Sequence, residues 1–160
     1  PVLDASGYAH RVARADVWDS HDYSQDVEQF RRRQGGIGAG DPFCNSREIS
    51  VAYGGQPYFC SEFGGIWWDA AAAATAAGDE TGTSWGYGER PRTAEEFLTR
   101  FTGLVDVLLD DPDMFGYCYT QLTDVFQERN GIYDFDRGEK FDTAALRRVQ
   151  QRTAAGESAG

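Results

Sequence analysis

The sequence predicts an α/β fold assembled from parallel βα units. Short apolar runs alternate with helical segments, in the order strand, strand, helix, strand, helix, strand, helix. Each strand run ends in polar or aromatic residues, as strands do when their C-terminal ends share one functional face. Four such strands in 160 residues make about half of a (β/α)8 barrel, which typically needs ~250 residues.

Val2-Leu3 is read as a strand end, followed by the turn-rich Asp4-Ala5-Ser6-Gly7. Asp16-Val17-Trp18-Asp19 is the second strand and leads into the polar Ser20-His21-Asp22-Tyr23. A helix is expected over Gln25 to Gln34, with Ser24 as a possible N-cap and Val27 and Phe30 on its apolar face. Gly35 to Gly40 ends it, and Arg47 to Tyr53 reads as extended. Pro57 opens a third strand that stops at Glu62, after which Gly64 and Gly65 free the backbone to turn. The alanine run Ala70 to Ala74 predicts a short helix, and Gly78 to Gly88 a glycine-rich loop. Thr93 and Glu96 have capping-box spacing, and Phe97, Phe101, Leu104, Val105, Leu108 and Leu109 share one helical face that stops at Asp110-Asp111-Pro112. Phe115 to Thr120 is the fourth strand. Asp142 or Thr143 caps a last helix carrying Leu146 and Val149. Residues 1–152 form the half barrel, and 153–160 a frayed polar tail.

The chain is 41% hydrophobic and 14% aromatic, enough for a core and too aromatic for disorder. A net charge of −11 argues against nucleic acid and against an anionic membrane surface. No apolar run reaches the length of a membrane span, and no signal peptide is read. Cys44, Cys60 and Cys118 do not make an even disulfide set, and Cys60 and Cys118 are expected to be buried thiols, so a reducing, cytoplasmic setting is the default. His10 and His21 show no zinc-ligand spacing. The opening Pro1-Val2-Leu3-Asp4, already a strand end with no methionine before it, reads as a piece cut from a longer protein.

A charged Glu62 at the end of an apolar run is explained either by a surface salt bridge or by a site at the strand's C-terminal mouth. In a barrel, Asp4, Ser6, His21, Tyr23, Glu62, Gln121 and Asp124 would face that mouth, with Trp67, Trp68 and Trp85 on loops above it. Carboxylates, amides and indoles together suit a sugar, whose hydroxyls need planar polar partners and whose C–H faces stack on rings. Of Trp67 and Trp68, one is expected in the core and one outside.

These residues resemble a known family. Pro57-Tyr58-Phe59-Cys60-Ser61-Glu62-Phe63-Gly64-Gly65 is similar to the nucleophile strand of glycoside hydrolase family 2, the β-galactosidase, β-glucuronidase and β-mannosidase family. Pro1 to Gly7 resembles its fifth barrel strand, Ala15 to Tyr23 the sixth, Gly116 to Asp124 the eighth, and Asn130 to Phe141 its closing loop. The resemblance implies strands 5 to 8 of the catalytic barrel, with Glu62 as nucleophile, Tyr23 as the tyrosine that hydrogen-bonds it, and His21, Asp22, Gln121 and Asp124 near the sugar. It implies a retaining exo-glycosidase acting on β-linked sugars, β-galactosides foremost. No cofactor is required; magnesium or sodium is possible by analogy, without a site. Many members carry a tryptophan where this chain has Thr120, so Trp67, Trp68 or Trp85 would have to stack the sugar. The family's acid/base glutamate follows an asparagine, and no Asn-Glu pair occurs here, so the chain alone is expected to be inactive. The other reading is a non-catalytic carbohydrate-binding protein on a degenerate barrel. Open sheet edges imply self-association or a partner that completes the barrel.

Overall fold

The computed structural model describes residues 1–4, 7–70 and 84–158. Ser6, the alanine run beyond Ala70 and the Gly78–Thr83 part of the glycine-rich loop lie outside the described residues. Strands β1 (Trp18–Asp22), β2 (Tyr58–Gly64) and β3 (Met114–Thr120) form one parallel sheet in that order. Helix α1 (Val27–Gln34) follows β1, α2 (Ala94–Leu109) precedes β3, and α3 (Thr143–Gln150) follows it. The fold is therefore α/β, as the alternation predicts. Among the described residues no helix is long and apolar enough to cross a membrane.

The first of the four expected strands is reduced to a single parallel bridge, Leu3 to Val17. β1 also begins later than expected and takes in Ser20, His21 and Asp22, all buried. In the buried Trp-Asp-Ser-His-Asp strand both aspartates and the serine find partners, while Trp18 Nε1 and His21 Nε2 have none among the described residues. Ser61 donates to Asp19, Ser20 bonds Tyr58, and Asp22 accepts from Arg33 at 2.9 Å and Gln34 at 3.0 Å.

Helix α1 starts two residues later than the spacing indicates. Its cap is Asp26, which accepts from the Gln29 amide at 2.7 Å, and not Ser24, whose amide and hydroxyl bond Asp22 and Arg33. In α2 the Thr93 hydroxyl accepts from the Glu96 amide at 3.1 Å, while the Glu96 carboxylate reaches the Arg92 amide, one residue outside the usual box. Asp142 caps α3. Arg47–Ile49 forms a 3-10 turn where extended chain was expected, with the Ser50 hydroxyl bonded back to the Ser46 carbonyl at 2.8 Å. Cys118, expected inside, is exposed, because alternation on β3 turns it away from the helices; Cys60 is buried. In the tail, Ala155–Ser158 forms helix α4, and Arg152 bridges to Asp106 and Asp110.

One face of the sheet packs on the helices. Phe97, Phe101, Leu104 and Leu108 of α2 join Phe30, Cys60 and Phe63 in the main core. Full burial of each large side chain contributes about 1.5–3 kcal/mol. A smaller cluster, Trp18, Ile37 and Tyr58, closes the end of the sheet where the strands begin.

Candidate active site

Glu62 leaves the core because β2 is irregular. Tyr58 and Cys60 are fully buried, and strict alternation would send residue 62 the same way. The pairing with β3 slips between Cys60 and Phe63, and that with β1 slips between Ser20 and His21. Phe63 thereby takes the inward place, 5.9 Å from Phe30 between ring centroids, and Glu62 lies 39% exposed. Register irregularities next to sites commonly re-aim a side chain in this way. β2 itself runs on to Gly64 and does not stop at Glu62.

Two side chains converge on one oxygen of Glu62. The Tyr23 hydroxyl donates to Oε2, and His21 Nδ1 lies 3.3 Å from the same atom. Among the described residues, Oε1 accepts no hydrogen bond. His21 is placed by its register opposite Glu62 and by Asn45, whose amide group accepts from His21 N at 3.0 Å and donates to His21 O at 2.7 Å. Its Nε2 is buried with no partner among the described residues. Tyr23 stacks on Tyr87 with ring centroids 3.7 Å apart and planes 6° apart. Burial, then the bond to Glu62, pushes the Tyr23 hydroxyl well above its ordinary pKa, so it stays a donor.

Gly64 and Gly65 have positive φ, 81° and 59°. Their freedom does not leave open space by the carboxylate: a Cβ on Gly64 would lie 2.3 Å from the Tyr119 ring, and one on Gly65 2.4 Å from Tyr87. The glycines let the aromatic wall close up to the strand end.

The remaining expected site residues are placed differently. Asp22 is fully buried and faces α1, held by Arg33 and Gln34. Asp4 accepts from His10 Nδ1 and from the Arg11 and Val12 amides, and so closes its own loop. Asp124 is buried, with Oδ1 taking Lys140 at 2.6 Å and the Gly131 amide at 2.9 Å, and Oδ2 facing Arg129 at 3.4 Å. Burial pulls the Lys140 ammonium below its usual pKa, while Asp124 opposes that shift. Trp68 is 6% exposed in the core beside Phe141, so it cannot stack a ligand, and Trp67 is half-buried with Arg90 over its ring. Trp85 is 44% exposed and meets Tyr87 edge-on at 6.0 Å. Gln121 follows a cis peptide after Thr120 and donates to Asn130 at 2.7 Å.

Asn45, Tyr8 and Tyr87 escape sequence reasoning. Tyr8 meets the His21 ring edge-on at 5.1 Å. Nothing local marks any of them, since each acts on a residue of a different segment. Among the described residues no group of three or more His, Cys, Asp or Glu side chains converges to hold a metal ion. A groove of about 750 Å³ between the starts of α1 and α2 is walled by Asp26, Glu28, Glu95 and Glu96 and does not include Glu62.

No profile of a known protein family matches the sequence, and no curated protein does. Solved structures share the fold. The β-glucuronidase of Bifidobacterium dentium, solved with coumarin-3-O-glucuronide, aligns with 86% of this chain at a TM-score of 0.54 and 16% identity, and the chain covers 21% of it. A Bacteroides uniformis β-glucuronidase aligns with 79% at 0.52 and 15% identity, with 14% of that protein covered. The GH2 β-galacturonidase of Eisenbergiella tayi, bound to galacturonate, aligns with 86% at 0.52 and 13% identity, with 24% covered. The chain spans less than a quarter of each, and at these identities it has the fold of a segment of these three proteins.

Proposed function

We propose that this chain is the nucleophile-bearing part of a retaining β-glycosidase, corresponding to about strands 5 to 8 of a (β/α)8 barrel. The observation that carries this reading is the pairing of Tyr23 and His21 on a single oxygen of Glu62 at the end of β2. A carboxylate held through Oε2 presents Oε1 to an anomeric carbon. Attack there forms the bond from Oε1 to the anomeric carbon while the bond from that carbon to the leaving oxygen breaks, and the leaving oxygen takes a proton from an acid. Water, deprotonated by the same group acting as base, then attacks the glycosyl-enzyme and releases the sugar with retention. Tyr23 keeps its proton throughout and fixes the carboxylate's orientation.

Trp85, 44% exposed, supplies ring surface for sugar C–H faces, and the half-buried Tyr87 links it to Tyr23 and so to Glu62; Gln121 follows the end of β3. The substrate of this reading is a terminal β-glycoside, a β-galactoside first. The sequence holds no Asn-Glu pair to donate the proton, so turnover by these residues alone should be lost by about 10²–10⁴-fold or more. The outer edge of β3, with Phe115 64% exposed, would pair with further strands, from a second copy or a completing partner; a clean monomer in light scattering counts against that.

The test is covalent trapping. An activated fluorinated β-glycoside incubated with the full chain should label Glu62, located by peptide mass spectrometry, and Glu62→Gln should take up none. Sugar binding without label would instead support a lectin-like protein on the same scaffold. Label on another residue overturns the assignment.

A further inference from the structure

The loop after β3 brings a second carboxylate to the same wall. Glu128 pairs with Val125 through both backbone groups, at 3.1 and 2.9 Å, and bridges in parallel to Trp85. Its Oε1 accepts from Asn130 Nδ2 at 3.0 Å; Asn130 is fully buried and is itself held by Gln121 at the end of β3. Glu128 is thus fixed, half-buried, beside Trp85, which meets Tyr87, which stacks on Tyr23, which bonds Glu62. The Tyr87 hydroxyl, raised chiefly by burial, is raised further by the charges of both Glu128 and Glu62. Among the described residues, the hydrogen bonds of the Glu128 carboxylate run through Oε1 alone.

The nearby cations are engaged elsewhere. Arg129 and Lys140 converge on Asp124, Arg33 is on Asp22, and Arg90 lies over Trp67. A sugar resting on Trp85 and Tyr87 would therefore meet two fixed carboxylates, while these cations are, among the described residues, already turned to Asp124, Asp22 and Trp67. A like charge brought to a partly desolvated site is strongly disfavoured, and discrimination by repulsion is a common route to specificity.

We propose that Glu128 sets the charge of the sugar this site accepts: a neutral β-glycoside is taken and a β-uronide is refused. This rests on the glycosidase reading of Glu62. It departs from the three fold-sharing proteins, each of which is named as a uronidase. A shared fold does not carry substrate charge, which is set by individual side chains.

The test is calorimetric titration of the full chain with paired non-hydrolysable probes, phenyl thio-β-D-glycosides and the corresponding thio-β-D-uronides, in the gluco and galacto configurations. The neutral member should bind at least about tenfold tighter than its uronide, and Glu128→Gln, which retains an acceptor for Asn130, should narrow that ratio about tenfold. Raising the salt should strengthen uronide binding to the native chain and move the Glu128→Gln ratio less, since Glu62 alone then repels the uronide. A native chain that prefers the uronide, or a ratio that Glu128→Gln does not move, overturns the proposal. If no probe binds and the fluorinated glycoside leaves no label, the glycosidase reading itself falls.

Discussion

At the ends of β1 and β2, Tyr23 and His21 reach Glu62 from a neighbouring strand, whereas after β3 Asp124 gathers Lys140, Arg129 and the Gly131 amide from within one loop. Both regions centre on a carboxylate with hydrogen-bonding partners. They differ in what is left over. Glu62 is 39% exposed and, among the described residues, has one oxygen without a donor, while Asp124 is 2% exposed with both oxygens engaged. A buried, fully partnered carboxylate holds a loop in place; a half-exposed one with an open lone pair can attack a ligand. Residue type and position at a strand end do not separate these two cases, and the partners do.

The largest effect expected from breaking this contrast is at Asp124. Asp124→Ala leaves Lys140 buried without its partner, and breaking one side of a buried pair costs about 3–5 kcal/mol. Thermal unfolding should show a fall of about 6 °C or more for a chain of this size. Glu62→Gln should cost less than about 1 kcal/mol in the same measurement, since the Glu62 side chain is 39% exposed and a neutral amide keeps an acceptor. Equal losses at the two positions would erase the distinction. Tyr23→Phe comes next. It removes a hydrogen bond to a charged group, worth about 1.5–3 kcal/mol, and should slow labelling of Glu62 by about 10–100-fold. An unchanged labelling rate would mean that Tyr23 only packs on Tyr87.

The strand-end site was partly legible in the sequence because its order along the chain is its order in space. Parallel strands separated by helices bring successive C-terminal ends together, which put Tyr23 and Glu62 at one mouth; their pairing came from the resemblance to glycoside hydrolase family 2. Asp22 and Trp68 misled for one reason: neighbours in sequence point to opposite faces of a strand or loop, and the outward residue cannot be told from the inward one by type. The register slips that free Glu62 leave no mark in composition. Asn45, Tyr8, Tyr87 and Glu128 were illegible because each meets the site through a contact between segments that lie far apart in the chain.

A smaller effect should come from alkaline pH. Tyr58 is fully buried and bonds Ser20 and Gln34, and burial holds its hydroxyl well above the ordinary value of 10.0. Between that value and its higher folded value the native state retains a proton that the unfolded chain has released. Stability is therefore intact below pH about 10 and falls as pH rises beyond it, by about 1.4 kcal/mol per pH unit for this one group. Urea midpoints measured at increasing pH should drop for the native chain and drop less steeply for Tyr58→Phe. Tyr23 shifts in the same direction, so labelling and stability can be followed together, and a loss of labelling that precedes unfolding would separate the site from the core beneath it.

The smallest effect tests whether the site depends on the helix behind it. Asp26 caps α1, and α1 supplies Arg33 and Gln34 to Asp22, the residue before Tyr23. Gln25, just outside the cap, donates to the Gly64 carbonyl at the end of β2 and to the Tyr23 carbonyl just after β1. Asp26→Ala removes an exposed N-cap and should cost about 1 kcal/mol, or about 2–4 °C in melting temperature. The sheet pairing from Trp18↔Tyr58 to Asp22↔Phe63 does not pass through that cap, so the labelling rate of Glu62 should hold. A labelling loss larger than the stability loss would show that Tyr23 is aimed by α1 through Asp22, and that the site is built from strand and helix together.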